Sequence, residues 1–134
     1  MHGSYAGAYI GGVTFSPNGN LLVVGCHVAL LKIFRHEPIH IPLPYVFDRE
    51  IHLGGGWSAV TLLTFEPKGR YLACTNNGSQ IRIVDTLRNQ VVAALKGHTG
   101  RIESLCFTSS GRTLASGSCD RTVRFWDVSK ICSH

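Results

Sequence analysis

Acidic residues are few. Eight Asp and Glu face thirteen Lys and Arg in 134 residues, a formal net charge of +5. The bases are scattered from Lys32 to Lys130 and never form a run, so they give little ground for nucleic acid as a partner. Long apolar runs are also missing. The longest, Leu21 to Leu31, is interrupted by Gly25 and His27 and is about half of what a membrane helix needs. The opening MHGSYAGAYIGG has no basic region followed by an apolar stretch, so no secretion signal is expected. Five cysteines (Cys26, Cys74, Cys106, Cys119 and Cys132) include no C-x-x-C pair, and their odd number does not suit a disulfide framework. Neither a G-x-x-x-x-G-K-S/T phosphate loop nor a G-x-S-x-G nucleophile elbow occurs. With 44% hydrophobic and 16% charged residues, the chain is too apolar for disorder. A soluble protein inside the cell, in cytoplasm or nucleus, with reduced thiols and no membrane attachment, is the expectation.

What the sequence does contain is a repeat. FSPNGNLLVVGCHVALLKIFR (Phe15 to Arg35), FEPKGRYLACTNNGSQIRIVD (Phe65 to Asp85) and FTSSGRTLASGSCDRTVRFWD (Phe107 to Asp127) align without a gap. Their leading phenylalanines are 50 and 42 residues apart. The second spacing is that of one propeller blade; the excess in the first fits a proline-rich loop around Pro38, Pro42 and Pro44. Each unit predicts an alternating strand ending at the phenylalanine, then a polar turn with Gly19, Gly69 or Gly111, where glycine suits a positive φ. A short strand follows (LLVVG, YLACT, TLASG), then a tight turn and a third alternating strand (LLKIF, QIRIV, TVRFW). A fourth strand fits Val91 to Leu95 and, less clearly, Tyr45 to Phe47. Turn residues recur too often for a helix.

The stretch GHTGRIESLCFTSSGRTLASGSCDRTVRFWDV, Gly97 to Val128, resembles the WD-repeat family, with Gly97-His98 and Trp126-Asp127 as its hallmark pairs. The resemblance implies an all-β fold of antiparallel blades, about three of them, in one propeller segment over 1–134 with repeats near 8–48, 57–96 and 97–134. It also implies a hydrogen-bonded chain through His98, Ser116, Asp120 and Trp126. Asp120 would accept from His98, His98 would meet Ser116, and Ser116 would accept from the indole N–H. Such a chain stabilises only if every member is satisfied. An Asp-His-Ser set also has the composition of a hydrolase triad, but the indole partner favours a structural role.

The first two units depart from this pattern. Phe34 and Val84 stand in the place of Trp126, Val28 and Gly78 in that of Asp120, and Val24 and Cys74 in that of Ser116. Gly54-Gly55-Gly56-Trp57 lies where a second glycine-histidine pair would be. These blades are expected to rely on apolar packing, and the third repeat, with Trp126 buried, to be the best ordered. Three blades are fewer than a closed ring needs, so the ring should be incomplete. Its open strand edges would favour a homo-oligomer or completion by another chain.

The implied function is a non-enzymatic scaffold binding a protein or peptide, without cofactor or metal. The alternative is a nucleic-acid-associated protein of the same family, for which no aromatic platform is evident. In related propellers, contact residues recur four and six places before the first-strand phenylalanine and just before the turn aspartate. Here these are Arg101, Glu103 and Cys119; Ala59, Thr61 and Asn77; and Tyr9, Gly11 and His27. Other candidates carry less. His36 and His40 flank Pro38 and cannot share a helix face as metal ligands. Cys26 and Cys74 read as packing, and Lys32, Arg82 and Arg124 as one solvated base per third strand.

Overall fold

Residues 9–38, 44–57 and 59–133 are described by the computed structural model. Period-two alternation between glycine-bearing turns yields eleven strands and no helix among them. Strands β1 (Ile10–Phe15), β2 (Leu21–Cys26), β3 (Leu30–His36) and β4 (Tyr45–His52) pair antiparallel in chain order. So do β5 (Leu62–Phe65), β6 (Tyr71–Thr75), β7 (Ile81–Asp85) and β8 (Gln90–Leu95). The third sheet has β9 (Ile102–Phe107), β10 (Thr113–Ser118) and β11 (Val123–Asp127) only. The inner strands β1, β5 and β9 lie side by side, so the sheets are successive blades of an open propeller arc.

Strand β4 is longer than the expected Tyr45 to Phe47. A bulge opposite Ile33 and Phe34 shifts its register, and pairing continues to Leu30 with His52. The charged run Asp48-Arg49-Glu50 hides this strand from a pattern search. Of the residues named in the sequence, His40, Pro42 and His134 lie outside the described ones.

The turns joining inner to second strands hold Gly19, Gly69 and Gly111 at φ of 77°, 80° and 75°. Each turn also rests on the next. A Cβ at Gly69 would stand 3.4 Å from the Pro17 ring, and one at Gly111 would stand 3.2 Å from that of Pro67. At the other end of the inner strands, Gly11 and Gly12 sit flush against the Val60 and Thr61 carbonyls, where any side chain would collide with backbone.

The middle blade holds the core. Leu72, Cys74 and Val84 face the first blade and join Val23, Leu31, Ile33, Ile51 and Val60. Tyr71, Ala73, Ile81 and Ile83 alternate with them and face the third blade, meeting Ile102, Leu114 and Val128. Both faces are covered, so β6 is buried along its whole length. The third repeat is therefore not the most tightly held, and Trp126 is only half-buried. No fourth strand flanks β11 among the described residues, and nothing covers the outward face of that sheet. Phe125 is 74% exposed there and Val123 64%. The first blade turns Val13 and Phe15 outward in the same way.

A rim of strand ends and the network that supports it

His98 lies between β8 and β9, where the β10–β11 turn brings Asp120 to it, β10 brings Ser116, and β11 brings Trp126 to that serine. Its Nδ1 stands 2.8 Å from the Asp120 carboxylate and its Nε2 2.7 Å from the Ser116 hydroxyl. The Trp126 indole N–H donates to the same hydroxyl at 2.9 Å. One proton arrangement satisfies all four: Nδ1–H donates to Asp120, the Ser116 O–H donates to Nε2, and the serine oxygen accepts from the indole. His98 and Ser116 are buried. Serine's hydrogen is thus committed to the imidazole and its oxygen to the indole, a structural arrangement rather than that of a presented nucleophile.

The Thr122 hydroxyl, with His98 and the backbone N–H groups of Thr99 and Thr122, holds the Asp120 carboxyl well below the usual range, against partial burial. Asp85 is also held low, first by the Arg70 guanidinium, which bonds it at 2.9 and 3.1 Å. Both carboxylates have folded pKa values below their unfolded ones. Their contribution is complete above about pH 4 and is lost as pH falls through the folded values. Melting temperature is therefore expected to drop on acidification below about pH 4, and less steeply in Asp85→Asn with Asp120→Asn. Equal acid slopes for parent and double variant in calorimetric melts would show that other groups govern the transition.

The second blade lacks this network and has a different strut. Gly54, Gly55 and Gly56 all take positive φ, which turns the chain sharply after β4. The Arg82 guanidinium enters the bend, donating to the carbonyls of Leu53, Gly54 and Gly55 at 2.8, 3.0 and 3.2 Å. It lies 4.3 Å over the Trp57 ring. A Cβ at Gly55 would overlap that guanidinium. Two of the three bases expected to be solvated are therefore engaged: Arg82 here, and Lys32 beside Glu50 at 3.9 Å. Arg124 is exposed. Only Trp57 in the glycine bend hinted at the strut, and aligned positions alone do not reveal stacking. Asn76, in the place of Ser118, leaves its buried Oδ1 without a partner among the described residues.

Above this frame, the nine rim positions gather at one end of the inner strands. Arg101 bonds Glu103 at 2.8 Å, and the Cys119 thiol donates to the same carboxylate at 2.9 Å. Tyr9 and His27 are joined by a backbone bond of 2.9 Å, with their rings 6.1 Å apart. Tyr9, His27, Asn77, Arg101, Glu103 and Cys119 are exposed; Gly11, Ala59 and Thr61 are half-buried where the inner strands abut. Burial pushes the Cys74 thiol up to about 12, suppressing thiolate. Cys26 is buried too. No group of three or more His, Cys, Asp or Glu fit to hold a metal occurs among the described residues.

The family model described as WD domain, G-beta repeat matches residues 89–127. That stretch runs from β8 through β11, so the sequence unit straddles two blades. The chain is 30% identical over 132 residues to Small ribosomal subunit protein RACK1 of Schizosaccharomyces pombe, covering 91% of this chain and 38% of that protein. It is 37% identical over 88 residues to Cell division control protein 4 of Saccharomyces cerevisiae, 66% of this chain and 11% of that protein. It is 33% identical over 72 residues to Guanine nucleotide-binding protein subunit beta of S. pombe, 54% and 23% respectively. The chain thus spans well under half the length of these relatives.

Proposed function

Because the chain belongs to the WD-repeat family, we propose that it is a non-enzymatic scaffold offering the rim from Tyr9 to Cys119 to a protein or peptide partner. The observation that carries this reading is the exposed Arg101–Glu103–Cys119 cluster beside the abutting inner strands. A paired arginine on a rigid strand end loses little freedom on binding, and arginine and tyrosine are frequent interface anchors. Two relatives support the reading by name, one a protein of the small ribosomal subunit and the other a subunit of a guanine nucleotide-binding protein. In this proposal the segment works in cytoplasm or nucleus. Its outward blade faces are covered by further blades, whether of a longer chain, a second copy or another protein.

Arg101→Ala is expected to weaken capture of a partner isolated with the parent protein by about tenfold, measured by surface plasmon resonance. Melting temperature should not change, because the side chain is exposed and its pair with Glu103 is a surface one. Undiminished capture by Arg101→Ala and Tyr9→Ala together would move the partner site off this rim.

A further inference from the structure

The opposite rim carries a second surface. There the turns between inner and second strands stack in register, Pro17 on Gly69 and Pro67 on Gly111. Three adjoining hollows of about 350, 510 and 410 Å³ lie along this rim, the first two at the second and third blades and the last between the first and second, with Lys68, Arg70 and Ser133 each walling two of them. Their carboxylates are engaged internally. Glu66, buried, accepts the backbone N–H groups of Lys68, Arg70 and Tyr71. Asp85, also buried, accepts from Arg70, Leu87 and Arg88.

The repeat frees a base here. Arg70 and Arg112 occupy equivalent turn positions, as do Asp85 and Asp127. Arg70 clasps Asp85, but Asp127 instead accepts the Ser129 N–H and hydroxyl at 3.0 and 2.6 Å. Arg112, Lys68 and Lys130 are exposed and form no ion pair among the described residues, although Arg112 and Lys130 both lie near enough to Asp127 to lower its pKa, and Arg88 keeps only a 3.9 Å approach to Asp85. Four bases thus face solvent around a concave surface and, with Arg70, outnumber the carboxylates of Glu66, Asp85 and Asp127, an arrangement that leaves a net positive potential. Tyr71 is the aromatic lining the hollows, and it is buried. Without a ring on which bases could stack, the surface favours carboxylates over single-stranded nucleic acid.

We propose that this rim, formed by Lys68, Arg88, Arg112 and Lys130, docks an acidic segment of a protein partner. The site is separate from the Arg101 rim. Anisotropy of a labelled glutamate-rich peptide, titrated with the full chain at low and physiological salt, tests it. Saturable binding that weakens steeply with salt is expected. Lys68→Ala with Arg112→Ala should weaken it about tenfold, and the charge reversals Lys68→Glu with Arg112→Glu more, at unchanged melting temperature. Arg101→Ala should leave it intact, so this site and the opposite rim fail or stand independently. Absence of saturable binding, equal or tighter binding of a uridine oligonucleotide of matched length, or full affinity in a folded Lys68→Ala, Arg112→Ala variant would overturn the proposal.

Discussion

Leu72→Ala is expected to destabilise the protein by about 3–5 kcal/mol, the upper part of the range for deleting a fully enclosed leucine side chain. Leu72 is fully buried, on the face of the middle blade that packs against Val23, Leu31 and Ile33. Sheets press on it from both sides, so the cavity has little room to collapse. Trp126→Ala, by contrast, should cost only about 2–3 kcal/mol, less than for a wholly enclosed indole. Its ring is half-buried, because no fourth strand flanks β11 on its outer side among the described residues. Urea unfolding of the two variants and the parent decides the matter. A larger loss for Trp126→Ala than for Leu72→Ala would place the stability centre in the third repeat after all.

Arg82→Ala is expected to cost about 2–3 kcal/mol, the scale of charge-assisted hydrogen bonds to carbonyls plus a cation–π contact, discounted for partial exposure. The guanidinium ties three successive carbonyls of the link between first and second blades and covers Trp57. Losing it leaves three glycine-rich carbonyl positions without their common donor. Arg82→Lys should recover less than half, since an ammonium cannot span the bend as a planar fork does. Unfolding followed by Trp57 fluorescence in a Trp126→Phe background reads this directly. A loss under about 0.5 kcal/mol for Arg82→Ala would show the strut to be decorative.

The positions of β1 to β3, β5 to β8 and β9 to β11 follow from alternation and glycine-bearing turns, which are local properties of the chain. The members of the His98 network are named through the resemblance of Gly97 to Val128 to the WD-repeat family, and not from the alternation pattern. Other features depend on distant segments. Which face of β6 meets which neighbour requires the stacking of three sheets. Phe125 and Ile83 have the same apolar character in aligned third strands, yet one is solvated and the other enclosed. Arg82 and Arg124 occupy the same repeat position, but only Arg82 finds a glycine bend and a tryptophan over which to lie. Arg70 clasps Asp85 with two hydrogen bonds, whereas the aligned Asp127 accepts on one oxygen from a serine two residues on. Periodicity assigns a side chain to a face of its strand; the sheet, turn or carboxylate that arrives at that face decides whether the side chain is packed, paired or left to a partner.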